Sequence, residues 1–359
     1  MLVSGFMFGI KTSLSSEWKQ RFSDVEKLNA YAETRSIEIK NAKLSDISVE
    51  GAKFSNGVFD DTGWSNVHFL KSEIIDTRFI GGEYRNVDFK ESLIKNSVFE
   101  NITFINADFK AASLQGVKFV NCNFGRADFQ YLRTSDVVFE GAVLEEVQFY
   151  KSGLDVTIIG SKLTEVEMMS ITAQEKLIIN DSDIYDVNLG NSIIPYVEIT
   201  GSKVAKATYS SGKSEKLVMK NLKGALQASG AVIDYLEIGD VDTEVLFFSG
   251  ITSERIKVER VNVTDSLNAK ATAESLEITD SNINAVWNSA SQVGLYAVKN
   301  TNIGGSNAEY AHFKTMHFEN VQLNGQFNFS HARADKLELI NVIKGPDFQF
   351  LGDESNISF

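Results

Sequence analysis

Large apolar side chains recur at every fifth position from Ile39 to Ile159, and the residue two positions before each is mostly small. An α-helix repeats every 3.6 residues and a β-strand every two, so neither alone produces this period. The pattern predicts a coil in which each five-residue unit forms one side and points two side chains inward. Four such sides close a turn of about 20 residues, and the turns stack through strand-type hydrogen bonds.

The central position of these units holds most of the phenylalanines of the chain. We expect their rings to fill the axis of the coil. Only Thr134 interrupts the run of large apolar residues, which predicts an irregular turn there. Cys122 occupies a small inward position and is interpreted as a buried small residue, not a reactive thiol. The predicted core consists of Phe54, Phe59, Phe69, Phe79, Phe89, Phe99, Phe104, Phe109, Phe119, Phe124, Phe129, Phe139 and Phe149.

The second half of the chain keeps a longer period. Pairs of apolar residues two positions apart, such as Leu217 with Met219 and Leu276 with Ile278, recur at steps of 20 residues, with one step of 19 and one of 21. This predicts that the coil continues with two large residues buried on one side. Polar stretches on the other sides predict a less regular, flattened coil with bulges or loops.

Several units resemble the repeat of the pentapeptide-repeat family, which reads roughly A-(D/N)-(L/F)-x-x. The resemblance implies an all-β fold, the right-handed quadrilateral parallel β-helix, a solenoid. Residues 39–343 would give about 15 turns and a length on the order of 70 Å. The family resemblance also implies that the aspartate side chains of these units stabilise the corners by hydrogen bonds to the backbone. The matching units include Ala107-Asp108-Phe109, Ala127-Asp128-Phe129, Val87-Asp88-Phe89 and Cys122-Asn123-Phe124.

The chain divides into five predicted segments. Residues 1–14 are apolar but too short to span a bilayer, and they lack the basic start of a secretory signal. Phe6 and Phe8 there would pack on the first turn, or contact a partner or a membrane. Residues 15–35 predict a helix that caps the first turn, with a partner-binding helix as the alternative. The regular repeat (36–160), a degenerate continuation (161–343) and a tail (344–359) follow.

Charge narrows the range of partners. The chain has 359 residues and a net charge of −13, with 48 acidic and 35 basic residues. An acidic surface argues against direct nucleic-acid binding. One acidic run without a basic residue predicts either a solvated face or a partner patch. Its members are Asp234, Glu237, Asp240, Asp242 and Glu244.

Motifs for catalysis are absent from the sequence. The four histidines have no accompanying set of cysteines or carboxylates at metal-ligand spacing, and no nucleophile elbow, P-loop or H-E-x-x-H occurs. We therefore expect no enzyme activity, metal or cofactor. A β-helix enzyme such as a polysaccharide lyase would need a cleft of ionisable groups. The histidines are His68, His312, His317 and His331.

These features predict a non-enzymatic protein-binding or scaffold rod, acting through its end or a flat face in a bacterial assembly or as an effector. The C-terminal end has no predicted helical lid, which favours self-association or partner docking there. The alternative is a DNA-mimicking inhibitor or protector of gyrase. Duplex DNA carries about 40 charges over about 70 Å, far more than this chain, so mimicry ranks second. The compartment is undetermined: cytoplasmic by default, exported or assembly-bound if a leader was removed.

Overall fold

The computed structural model describes residues 18, 20, 22–224, 226–353 and 357. The predicted apolar segment, with Phe6 and Phe8, lies outside these residues. The chain forms two compact units that divide after Leu177. Both units are all-β parallel solenoids. Together they have about 16 turns and one short helix. This confirms the predicted fold class, whereas the segment boundaries proposed from the sequence stay predictions.

The helix Val25–Ala32 precedes the strands of the first unit. Asp24 caps it, because its side chain accepts a hydrogen bond from a backbone N–H of the first turn. Leu28 is buried. Asn29 Oδ1 accepts a 2.7 Å hydrogen bond from the N–H of Lys53 in the first coil turns. The side chain of Asn29 thus satisfies the backbone N–H of Lys53, which would otherwise be unpaired at an open strand edge.

Residues 20 positions apart are partners in adjacent strands of the first unit, as Phe79 is with Phe99. One side consists of Glu38–Lys40, Val58–Asp60, Arg78–Ile80, Val98–Glu100, Lys118–Val120, Val137–Glu140 and Val156–Ile159. The next consists of Lys43–Ser48, Gly63–His68, Glu83–Arg85, Thr103–Ile105, Asn123–Gly125, Val143–Glu145 and Lys162–Thr164. Another consists of Lys53–Ser55, Glu73–Ile75, Leu93–Lys95, Ser113–Gln115 and Arg133–Ser135. The remaining side has isolated bridges such as Asp88↔Asp108 and the strand Val166–Glu167.

The structure places all the phenylalanines of the predicted core inside the first unit, where Phe54 is 4% exposed and the others 0%. Their rings form ladders across turns. Phe109 and Phe129 are stacked with centroids 4.7 Å apart, and Phe104 and Phe124 likewise at 4.7 Å. Two neighbouring sides meet edge to face, as Phe119 does with Phe124. The five-residue period therefore builds a filled aromatic axis.

Most corners of the first unit have a residue with positive φ two positions after the central side chain. Asn66 and Asn86 have φ values of 54° and 50°. Asparagine tolerates this left-handed conformation better than most residues. Its amide also bonds along the coil, since Asn86 Nδ2 donates to Asn66 Oδ1 at 3.0 Å. This explains why the repeat is rich in asparagine.

Thr134 lies at the predicted irregularity. Its Oγ1 accepts a 2.7 Å hydrogen bond from the N–H of Asp155 in the following turn. That turn is one residue shorter, because Phe139 pairs with Ile158 instead of the residue 20 positions later. Ile158 is fully buried and Ile159 is 37% exposed. The sequence prediction that Ile159 points inward is wrong, since a one-residue shift moves a strand position to the opposite face.

Many strands of the second unit are longer than those of the first, and the longest, Lys213–Lys223 and Val232–Ser249, have 11 and 18 residues. The first, Lys176–Asn180, starts two residues before the division after Leu177. The others are Asp183–Ile184, Val187–Asn188, Tyr196–Thr200, Lys203–Val204, Ala207–Ser210, Lys213–Lys223, Leu226–Ser229, Val232–Ser249, Ile251–Glu259, Asn262–Asn268, Ala271–Thr279, Asn282–Trp287, Gln292–Lys299, Asn302–Asn307, His312–Glu319, Gln322–Leu323, Gln326–Asn328, Arg333–Ile340, Ile343–Lys344 and Gln349–Leu351.

The predicted double-apolar side of the second unit is buried. Leu276 and Ile278 are both 0% exposed and align with Tyr296 and Val298 of the next turn. Register shifts interrupt two strand pairings, one of them between Thr243 and Val245, as expected for bulges. No helix in the described ranges is long and apolar enough to cross a membrane.

Candidate interaction surfaces

The acidic run from Asp234 to Glu244 does not form one patch. Ten residues correspond to about half a turn of the coil, so the two ends of the run lie on different sides. Glu237 is half-buried, and its carboxylate lies 2.6 Å from Lys220 Nζ and 3.4 Å from Lys216 Nζ. Burial disfavours the charged form of Glu237, but the two lysines outweigh it and hold the pKa of this carboxyl below its usual value. The acid that lacks basic neighbours in the sequence therefore acquires them from the previous turn.

Asp240 and Asp242 also have partners from another turn. Both carboxylate oxygens of Asp240 bond the guanidinium of Arg260, at 2.6 and 2.8 Å. The hydrogen bond from Arg260 lowers the pKa of Asp240. Asp242 Oδ1 accepts from Asn262 Nδ2 at 2.9 Å. Three of the five acids are thus satisfied within the unit, whereas Asp234 and Glu244 are exposed and have no basic partner among the described residues.

Asp234 lines a groove of about 580 Å³ that crosses five turns of the second unit. We call it the lateral groove. Its floor contains Ser253, Ala273 and Val293, three small or medium side chains. One wall consists of residues that align in successive turns: Val232, Thr252, Thr272, Gln292 and His312. The other consists of Asp234, Glu254, Glu274, Gly294 and Lys314.

Four charged side chains of the lateral groove have no oppositely charged partner among the described residues. Asp234, Glu254 and Glu274 are exposed and form no ion pair in the described part of the chain. A Cβ atom on Gly294 would lie 2.4 Å from the carbonyl oxygen of Glu274, so this position excludes a side chain and leaves the wall open. Lys314, one turn further, is also exposed and has no acidic partner among residues 22–224 and 226–353. The groove is acidic at one end and basic at the other.

The last turn forms a second candidate surface. Its strands Arg333–Ile340, Ile343–Lys344 and Gln349–Leu351 pair with the preceding turn, and the described residues supply no strand on their other edge. Three outward polar residues of the preceding turn align with aliphatic ones here: Glu319 with Ile340, Gln322 with Ile343 and Asn328 with Leu351. We call Ile340, Ile343 and Leu351 the terminal rim.

The terminal rim is open to solvent although the tail returns to the unit. Ile340, Ile343 and Leu351 are 51%, 57% and 44% exposed. Ile357, further along the tail, is 2% exposed, and its N–H donates to the carbonyl of Asp353. The described residues of the tail therefore bury the side chain of Ile357 and leave the three rim residues exposed.

The histidines are engaged in separate surface contacts. His317 has Nδ1 2.8 Å from a carboxylate oxygen of Glu338 and Nε2 3.3 Å from one of Glu319. His68 lies 3.6 Å from Asp88. The ring of His331 stacks on Tyr310, and His312 contacts Asp335. No group of three or more metal-ligating side chains occurs in the described ranges.

Asp88, Asp108 and Asp128 have a structural role at one corner. The carboxylate of each accepts a hydrogen bond from the backbone N–H two residues later, at 2.8, 3.0 and 2.8 Å. This is the turn chemistry that the family resemblance implied. Cys122 is buried as well, and its thiol donates to the carbonyl of Phe99. Burial raises the pKa of this thiol to about 12.

A family model described as pentapeptide repeat region matches residues 72–149, which lie within the most regular turns. Residues 72–149 are a pentapeptide repeat region. This confirms the resemblance read from the sequence. The pentapeptide repeats account for the aromatic ladders of the first unit, and the matched range does not include the lateral groove or the terminal rim.

Solved pentapeptide-repeat structures are similar to the chain at a low level. Full-length QnrB1, a plasmid-mediated fluoroquinolone resistance protein, has 13% identity and a TM-score of 0.28, covering 62% of this chain and 94% of its own. HetL, involved in heterocyst differentiation regulation in the cyanobacterium Nostoc, has 11% identity and a TM-score of 0.26, covering 82% and 97%. Matches this weak support no statement about function. No curated protein matches the sequence.

Proposed function

We propose that the protein is a non-enzymatic binding module that docks another protein chain on its last turn. The terminal rim carries this proposal. At three aligned positions the outward residue changes from polar to aliphatic in the final turn, as in the pair Glu319 and Ile340. An outward aliphatic residue is unfavourable in water. Ile340 and Ile343 flank the corner at Asn341 and form a neighbouring apolar pair that another molecule can cover, whereas Leu351 lies about half a turn away on the same edge.

Burial of the rim would supply binding energy. Ile340, Ile343 and Leu351 are each about half exposed. At about 25 cal/mol per Å² of apolar surface, covering the remainder of each contributes roughly 1–2 kcal/mol. The free edge of Arg333–Ile340 adds backbone N–H and C=O groups that a second strand can pair with.

The occupant that we propose is a second copy of this chain. The last turn presents the same edge in each copy, so two edges can meet around a two-fold axis and pair as antiparallel strands. With the axis near Ile340, such a contact would place Ile340 and Ile343 of the two copies beside each other, where they lose exposed apolar surface. An isologous contact also closes on itself and does not extend into a fibre.

Light scattering over a range of concentrations tests the proposal. We expect a dimer for the native chain and a monomer for the double variant Ile340→Lys with Ile343→Lys. Ile193→Lys is the matched control, because Ile193 is 54% exposed elsewhere on the second unit and its replacement should leave the dimer intact. A native chain that stays monomeric at high concentration, or a double variant that still dimerises, contradicts the proposal.

The alternative function, mimicry of duplex DNA at gyrase, is less well supported by the surface charges. In the first unit, Lys90 Nζ lies 2.8 Å from Asp108 and 3.7 Å from Asp88. Arg126 likewise lies 3.0 Å from Glu146. Basic groups between acidic ones interrupt the continuous negative potential of a phosphate backbone. A supercoiling assay with purified gyrase decides between the two functions, and we expect no inhibition or protection.

A further inference from the structure

We propose that the lateral groove binds an extended segment of a partner protein that has basic residues towards one end and an acidic residue at the other. This goes beyond the proposed docking at the last turn, because it uses a different surface of the second unit. The inference rests on the order of charges along the groove, with Asp234, Glu254 and Glu274 at one end and Lys314 at the other.

Asp234, Glu254 and Glu274 have no ion pair among the described residues, in contrast to other acids of the second unit. Glu277 lies 3.1 Å from Arg255, and Glu319 lies 3.0 Å from Lys299. The groove carboxylates instead follow one another in successive turns at a spacing of about 4.8 Å. Like charges at that distance repel by about 1 kcal/mol per pair in water, and by more where solvent is excluded. A cationic ligand removes this repulsion.

The dimensions fit a short peptide. Four turn spacings separate Asp234 from Lys314, which is about 19 Å at the usual strand separation. An extended peptide covers that distance in about six steps of about 3.3 Å, that is, with a segment of about seven residues. Alternate side chains would face the acidic wall, so two or three lysines or arginines would reach the three carboxylates.

The lining distinguishes a peptide from other cations. The hydroxyls of Thr252 and Thr272 and the amide of Gln292 form the opposite wall and can bond the backbone of a peptide. Ala273 and Val293 on the floor can contact the methylene stems of lysine or arginine. Lys314 matches an acidic group, which a linear polyamine does not have. Nucleic acid is excluded by repulsion from the acidic wall.

Fluorescence polarisation with the full chain at low salt tests the proposal. The probe is a labelled seven-residue peptide with lysine at positions 1, 3 and 5, alanine at positions 2, 4 and 6, and aspartate at position 7, so that lysines and aspartate face the same wall; it is made in both sequence directions. The double variant Glu254→Gln with Glu274→Gln should bind it at least about tenfold more weakly. The control Glu244→Gln removes an exposed acid outside the groove and should change affinity by less than about twofold.

A second comparison tests the basic end. Lys314→Gln should weaken binding of the peptide that contains aspartate and leave an amidated peptide with alanine in place of the aspartate unaffected. The idea fails if the peptide does not bind, if the glutamine variants bind it as well as the native chain, or if spermidine binds the groove and the peptide does not. The Ile340→Lys, Ile343→Lys variant should bind the peptide normally, so failure here is distinguishable from failure of docking at the last turn.

Discussion

Phe79 and Phe99 stack face to face in adjacent turns, with ring centroids 4.5 Å apart and planes inclined by only 3°. Their Cα atoms are direct partners in neighbouring strands, so the backbone spacing sets the ring spacing. The same relation continues from Phe99 to Phe119 and on to Phe139. Phe79, Phe99 and Phe119 therefore each contact one ring above and one below. The turns are joined through their aromatic interior as well as through the strands.

Removal of one ring should open a cavity that the stack cannot close. Phe99 is fully buried, so we expect Phe99→Ala to lower the free energy of unfolding by about 3–5 kcal/mol. Denaturant-induced unfolding followed by circular dichroism measures this loss. Phe99→Leu keeps most of the volume and should cost less than the alanine variant. A loss below about 1 kcal/mol for Phe99→Ala would contradict a tightly packed axis.

The thiol of Cys122 should be inert in the folded protein. It is 1% exposed, and burial raises its pKa to about 12, so little thiolate exists at neutral pH. We expect no labelling by iodoacetamide under native conditions and complete labelling in denaturant, as measured by mass spectrometry. Because labelling requires opening of the first unit, its rate should rise in the Phe99→Ala variant. Rapid stoichiometric labelling of the native chain would place Cys122 at the surface.

Asn288 is a polar residue in the core of the second unit. It is 0% exposed, and its Nδ2 and Oδ1 have no hydrogen-bond partner among the described residues. An unpaired buried polar group costs about 1–3 kcal/mol. Asn288→Leu should therefore raise the free energy of unfolding, whereas Asn288→Asp should lower it by burying a charge. Thermal unfolding of the three proteins measures both changes. A leucine variant less stable than the native chain would show that the amide is satisfied in solution.

The sequence predicts the coil better than it predicts the surfaces. Strict five-residue spacing indicates which residues face inward, since every turn repeats the same requirement. The sequence does not reveal that Ile158 faces inward instead of Ile159, because both are apolar and only the strand register distinguishes them. Residues a few positions apart in sequence can lie on different sides of the coil, as Asp234 and Asp240 do. Arranging the sequence in rows of 20 would have aligned Asp234 with Glu254 and revealed the acidic wall.

The pH dependence of stability should include a contribution from Glu237. Burial disfavours its charge, but Lys220 and Lys216 hold its pKa below the usual carboxyl value. A lowered pKa in the folded state stabilises the protein above the unfolded pKa, and this contribution is lost as the pH falls through the folded value. Glu237→Gln should therefore be less stable than the native chain by roughly 1 kcal/mol at about pH 7, with the difference shrinking at about pH 3.

Urea unfolding at both pH values measures this difference. Glu244→Gln is the matched control, because Glu244 is exposed and lacks a basic partner among the described residues, so its replacement should change stability little at either pH. An equal loss for Glu237→Gln at both pH values would mean that the side chain stabilises the second unit through packing. A loss confined to neutral pH would assign the effect to the charges of Lys216 and Lys220, which lie 3.4 and 2.6 Å from the carboxylate.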